Sequence, residues 1–207
     1  MTKPAERTDR ISSRLVDKFE ERRRLLAEGA LQTLAERGYA RTSLREIAQN
    51  TEFSHGTLHY YFRDKVELIT YCVRQYKAHC VLRYDGIVAT ASTVDGLARD
   101  FADGLAVTLA EDALMHRLWY DLRSQSLFEE SFRADVADID ESLERMIWRI
   151  VTRYAELAGR EPACTPAMAY AFFDGLFQQA LLRFLSGSEA ALEDLRTGAR
   201  ELLTKIV

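Results

Sequence analysis

Proline and glycine are scarce, 3 and 10 in 207 residues, whereas a sandwich or barrel of short strands needs frequent turn residues. That shortage excludes an all-β fold and leaves long helices as the default. The 3 cysteines include no close C-x-x-C pair, which excludes a disulfide framework and a ribbon-type zinc site. Long apolar runs are missing too. The longest stretch without Asp, Glu, Lys or Arg is the 12 residues 162–173, too short to cross a bilayer. Residues 1–10 are polar and charged and lack the apolar centre of a secretory signal, so a cytoplasmic location is expected.

Apolar and charged residues, by contrast, are plentiful at 47% and 29%, enough for a substantial core at this length. The formal charge of −4, taken whole, argues against nucleic acid, but it is unevenly spread. Residues 1–80 carry 15 Lys plus Arg against 11 Asp plus Glu, net +4, and residues 81–207 carry 13 against 21, net −8. A mildly basic segment on an acidic one suits a DNA-reading module joined to a body with a different partner.

Residues 1 to about 11 hold almost nothing apolar and read as a disordered arm. Phe19, Leu26, Ala30 and Leu34 then recur on one helical face until Gly38 stops the helix. Thr42 or Ser43 can cap a short second helix with Leu44, Ile47 and Ala48 inward, and Glu46 completes a capping box with Ser43. Ser54 can cap a third helix of similar length that buries Leu58, Tyr61 and Phe62. From Asp64 a longer helix runs through Leu68, Ile69, Cys72, Val73 and Tyr76 to about Tyr84. Amphipathic stretches follow at 93–109, 113–128 and 131–157. Thr165 and Pro166 open another helix that ends at Gly187, and Ser188 caps a last one with Ala191, Leu192, Leu195, Ala199, Leu202, Leu203 and Ile206 on its apolar side. The expected fold class is all-α, with a three-helix unit first and a larger helical part after it.

The most informative segment is Thr42-Ser43-Leu44-Arg45-Glu46-Ile47-Ala48 followed by Phe53-Ser54-His55-Gly56-Thr57-Leu58-His59-Tyr60-Tyr61-Phe62-Arg63-Asp64-Lys65. It spells a helix, a tight turn and a second helix. His55, Thr57, His59 and Tyr60 are flat or small hydrogen-bonding side chains with no negative charge among them. Such a face can meet phosphates and base edges in a major groove. On the residues alone, such a helix pair with surface histidines and tyrosines is more often only a packed corner than a DNA-reading face.

This segment resembles the DNA-binding domain of the TetR/AcrR family of bacterial transcriptional regulators. The match takes in Leu26, Ala30, Leu34, Gly38 and Tyr39 upstream and Lys65 and Leu68 downstream, so it covers residues 20–70 in register. Asp174-Gly175-Leu176 is similar to a tract in the family's C-terminal domains. The resemblance implies a helix-turn-helix domain at 12–64 and a helical effector-binding and dimerisation domain at 65–207. It implies a transcriptional repressor, not an enzyme, that needs no cofactor, binds palindromic double-stranded DNA as a homodimer and is released by a small-molecule effector. Residue by residue, His55, Gly56, Thr57, His59 and Tyr60 would approach bases or sugars. Tyr61 and Lys65 would hold phosphates, and Thr42 and Arg45 would brace the DNA backbone. Glu52 stands where the family usually has glycine, which predicts a left-handed non-glycine residue at a cost of about 1–2 kcal/mol. His59 replaces a usual tyrosine.

The rest of the chain offers no catalytic constellation and no metal site. Cys72 and Cys80, with His79 and Tyr76 nearby, are spaced too loosely for structural zinc and read as buried thiols. Phe101, His116, Trp119, Tyr120, Arg123, Phe172, Phe173, Phe177 and Gln178 form an aromatic and polar set that helical spacing reads as core before pocket. The resemblance implies instead that they line the effector cavity, with His116, Arg123 and Gln178 as polar anchors. The Asp174-Gly175-Leu176 tract is similar to that of a choline-responsive branch, which implies an aromatic cage for a cation. Phe172, Phe173, Phe177, Leu181, Leu182, Phe184, Leu185, Leu192, Leu195 and Leu202 are more apolar surface than two final helices can turn inward. The surplus predicts a homodimer through those helices. The rival reading is a helical ligand-binding protein or enzyme that does not bind DNA.

Overall fold

The computed structural model describes residues 4–39 and 41–207, with backbone alone over 4–16 and at 35. Among the described residues there are eight α-helices, one 3-10 turn and no strand. The helices are α1 (Pro4–Arg37), α2 (Leu44–Gln49), α3 (His55–Tyr61), α4 (Lys65–Thr90), α5 (Val94–Gln125), α6 (Arg133–Ala158), α7 (Pro166–Leu185) and α8 (Ala191–Ile206). The expected arm is therefore helical from Pro4, while residues 1–3 lie outside the described residues. Proline is favoured at a helix start, and the alanine, glutamate and arginine that follow are strong helix formers, so no apolar face is required there. The chain separates into two compact units, residues 1–72 and 73–207. The division between these units falls inside α4, after the buried Leu68, Ile69 and Cys72.

That first unit is a head built on Leu26, Ala30 and Leu34 of α1, Leu44 and Ile47 of α2, Leu58 of α3, and Phe62 and Leu68, all buried. Gly38 ends α1 with φ 75°, a conformation that favours glycine, and its N–H donates to the Leu34 carbonyl at 2.8 Å. Ser43 caps α2 through the full capping box with Glu46. Gly29 lets Phe53 lie against the α1 backbone, since a Cβ there would stand 2.6 Å from the Phe53 ring. The Arg23 guanidinium sits 4.9 Å from the Phe62 ring centre and 4.7 Å from that of Tyr71, and donates to Glu67 at 2.7 Å. The left-handed residue expected near Glu52 is absent: no described non-glycine residue has a positive φ. Asn50 closes α2 at φ −105°, ψ 10° and donates through Nδ2 to the Glu46 carbonyl at 2.7 Å, so the chain turns without that strain.

The second unit is a helical bundle in which α8 packs on α5 and α7, and α6 packs on α5 and α7. α4 continues to Thr90, beyond the expected Tyr84, because half-buried Ile87 and Val88 extend its apolar face. The two stretches expected at 93–109 and 113–128 form one helix with a kink at Asp112, φ −122° and ψ 27°. Residues 130–132 make a 3-10 turn that buries Phe132, so α6 starts only at Arg133. Thr165 caps α7 as expected, accepting from the Met168 N–H at 3.3 Å. Ser188 does not cap α8. That helix starts at Ala191 without a side-chain cap, and the Ser188 carbonyl accepts the Ala191 N–H at 3.3 Å.

α7 sorts its apolar residues onto two faces. Phe173, Phe177, Ala180 and Leu181 are buried, whereas Met168, Phe172, Leu182 and Leu185 are exposed. Phe177 and Leu181 therefore belong to the core of one chain and not to the surplus surface expected of them. Their i, i+4 spacing shares one side of α7, and only the surrounding helices decide which side faces inward.

Candidate nucleic-acid interface and ligand cavity

In the head, Ser54 sets the start of α3: its Oγ accepts the Thr57 N–H at 3.0 Å. Leu58 and Phe62 are fully buried on one side. The anchoring leaves His55, Gly56, His59 and Tyr60 exposed on the other, with Thr57 half-buried between them. The His55 and His59 rings meet edge to face at 4.5 Å. Tyr60 is 73% exposed and leans edge-on against Tyr61 at 4.9 Å, while Tyr61 packs on Phe19 at 4.8 Å. Arg45 is exposed on α2. The sequence of α3 has no acidic residue, so nothing on this helix repels phosphate.

Two expected contact residues are placed differently. Thr42 is 3% exposed and its hydroxyl donates to the Gly38 carbonyl at 2.7 Å, holding the turn between α1 and α2 instead of reaching outward. Lys65 is half-buried: its Nζ donates to the Tyr39 carbonyl at 2.9 Å and lies 3.8 Å from the centre of that ring. Both residues are where the motif puts them, and both are claimed by the turn that follows α1. That turn brings together groups 26 residues apart in sequence, beyond the reach of local spacing.

The second unit holds a cavity lined by side chains of α4, α5, α6 and α7. Of the expected residues, His116, Trp119, Tyr120, Phe173 and Phe177 line it. Phe101 stands behind them, its ring edge-on to Phe173 at 5.2 Å. Gln178 is exposed, being one residue and about 100° of helix beyond the inward-facing Phe177. Arg123 lies outside the lining and serves it indirectly. Its Nη1 donates to Asp174 Oδ2 at 2.5 Å, and its Nε pairs with Asp140 at 3.3 Å. Tyr120 donates to Asp174 Oδ1 at 3.0 Å and Tyr170 to Asp140 Oδ1 at 2.5 Å.

Lys77, Cys80, Thr108, Tyr170 and Asp174 also line the cavity and escaped the sequence reading. A signal for Lys77 was present, because it falls in helical register with Val73, Cys80 and Tyr84, all of them buried. The Lys77 ammonium donates to His116 Nδ1 at 3.1 Å. An ammonium has no lone pair to offer, so Nδ1 is the acceptor and Nε2–H donates to Tyr76 Oη at 2.9 Å. Burial, with the Lys77 and Arg83 cations, pushes His116 well below the usual histidine range and keeps it neutral. Burial also lowers Lys77 to about 8. The Tyr120 and Tyr170 phenols are pushed up, chiefly by burial and then by Asp174, and remain hydrogen-bond donors. Cys72 and Cys80 fall in different units, and burial raises both thiols. Among the described residues no group of three or more His, Cys, Asp or Glu is placed to hold a metal ion.

The chain thus combines a capped two-helix motif in its first unit with an all-helical bundle around a cavity in its second. Residues 26–72 match the model of bacterial regulatory proteins of the tetR family. The fold agrees over nearly the whole length. A TetR transcription regulator from Haloarcula marismortui ATCC 43049 superposes with TM-score 0.73 at 18% identity, covering 90% of this chain and 98% of its own. The regulator FadR from Bacillus subtilis, solved in complex with stearoyl-CoA, gives 0.71 at 17%, covering 88% and 97%. The ketosteroid regulator KstR2 of Mycobacterium tuberculosis gives 0.65 at 19%, covering 90% and 95%. No curated protein matches in sequence. TetR-family regulators are DNA-binding proteins and not enzymes, and no described helix is long and apolar enough to cross a membrane.

Proposed function

We propose that this protein is a cytoplasmic transcriptional repressor that binds a palindromic operator as a homodimer and is released when a small molecule fills the cavity of its second unit. The observation that carries the reading is the pairing of an outward, uncharged α3 face with a cavity lined by aromatic and polar side chains elsewhere in the same chain. His55, Gly56, Thr57, His59 and Tyr60 read base edges and sugars, with Tyr61 and Arg45 on the backbone. The exposed α7 row of Met168, Phe172, Leu182 and Leu185 is the surface for a second copy, since so large an apolar patch is unusual on a lone soluble chain. Release follows from linkage: a ligand that binds better to the conformer with misplaced recognition helices draws the population away from DNA. Selection of bound duplexes from a randomised pool, repeated in rising salt, tests it. Enrichment of a two-fold symmetric site with half-sites about one helical turn, roughly 34 Å, apart is expected, and retention without sequence preference would overturn it.

A further inference from the structure

Lys77 is the buried charged residue whose charge no neighbour answers. It is 7% exposed, the least of any described Lys, Arg, Asp or Glu, and it forms no ion pair among the described residues. An ammonium in an apolar interior is costly unless it is paired. Of its three N–H donors, His116 Nδ1 takes one at 3.1 Å. The Trp119 and Tyr76 rings, 5.4 and 5.8 Å from Nζ, offer only weak cation–π compensation. Asp174 and Asp140 act on it from farther off, but they share Arg123 and also accept from Tyr120 and Tyr170. The acceptor that Lys77 lacks is not supplied by the protein.

The remainder of the lining restricts what else the ligand contains. Trp119, Phe173, Phe177, Leu143, Met146 and Ile147 offer an apolar wall with no further cation. A positively charged ligand would meet Lys77 directly, and the carboxylate that could have answered it, Asp174, is held by Arg123 and Tyr120. An aromatic cage for a quaternary ammonium therefore does not fit.

We infer that the cavity takes a compact apolar carboxylic acid, its carboxylate on Lys77 Nζ and its body against Trp119, Phe173 and Phe177. The assignment rests on the cavity being the effector site proposed above. A bound carboxylate favours the ammonium, so affinity falls as Lys77 loses its proton. Lys77 stands at about 8, so the fall begins in mild alkali. The other groups facing Lys77 hold their states there: His116 is neutral, and the Tyr76 phenol and Cys80 thiol are pushed up by burial.

The test uses the purified full-length chain with benzoate, hydrocinnamate and hexanoate, their three primary amides, and phenyltrimethylammonium, followed by calorimetry and thermal shift. At least one acid is expected to bind about tenfold or more tightly than its amide. That preference should shrink between about pH 7 and about pH 9.5. Lys77→Met should erase it by bringing the acid down to the affinity of its amide, and Lys77→Gln serves if the methionine variant does not fold. Equal binding of acid and amide, tightest binding of phenyltrimethylammonium, no binding by any acid, or a preference that survives loss of Lys77 would overturn the assignment. Retention of a selected duplex is measured alongside. An acid that binds without releasing DNA upholds the ligand class and overturns the effector reading. A neutral compound that binds in preference to every acid and releases DNA does the reverse.

Discussion

Lys65 Nζ stands 2.9 Å from the carbonyl oxygen of Tyr39 and 3.8 Å from the centre of the Tyr39 ring. The pair ties the residues after α1 to the first turn of α4 inside the head. Lys65→Ala should therefore lower stability by about 1–3 kcal/mol, the range for a lost charge-assisted hydrogen bond with a cation–π contact. Urea unfolding measures it. An unchanged midpoint would return Lys65 to the role of a phosphate contact alone.

Ser54 holds the first turn of α3 by accepting the Thr57 N–H at 3.0 Å. Removing that cap with Ser54→Ala should cost about 1 kcal/mol. It should also speed amide hydrogen exchange at the start of α3 more than in α5. Uniform exchange changes across both helices would show that the cap does not act locally.

Tyr60 and Arg45 are both exposed but should behave differently on DNA. Tyr60→Ala should cost on the order of 1–3 kcal/mol at particular bases. Arg45→Ala should weaken specific and scrambled duplexes alike and flatten the salt dependence, because a phosphate contact carries no sequence information. Gel-shift titrations at two salt concentrations separate the two patterns. Wild-type behaviour in both variants would remove this face from the interface.

Phe172 and Leu182 are 43% and 61% exposed, whereas Phe177 and Leu181 are 7% and 3%. Phe172→Glu combined with Leu182→Glu should give a folded monomer by light scattering. Phe177→Ala should instead destabilise the chain by about 3 kcal/mol, near the low end for a buried phenylalanine because this one borders a cavity. A stable dimer after the double glutamate change would place the interface elsewhere.

Lys77 carries a pH signature. Its value falls from 10.5 to about 8 on burial, so between those values the unfolded chain binds more protons and wild-type stability gains with rising pH. Lys77→Met removes the term. The variant should be more stable than wild type below about pH 8, with an advantage of about 3 kcal/mol from this source that fades towards pH 10.5. Taking the difference cancels the buried tyrosines, whose raised values act in the opposite sense. A pH-independent difference would mean that burial leaves Lys77 with the same proton affinity in the folded chain as in the unfolded one.

The all-helical class, the caps at Ser43, Ser54 and Thr165, the stop at Gly38 and the inward side of α3 follow from the sequence alone. Each depends on residues three or four positions apart, and helix geometry makes such neighbours by itself. The tertiary structure alone decided which groups around the sites are already engaged. Thr42 and Lys65 have the chemistry of DNA contacts, and only the folded turn after Arg37 shows that each also donates a hydrogen bond within the head. Phe177 and Phe172 look equally exposed until α5, α6 and α8 cover one side of α7. Lys77 reads as one more charge on a long helix until α5, α6 and α7 close over it. Its burial depends on packing between α4 and helices dozens of residues later, and local spacing cannot report whether an ammonium so enclosed has found a partner.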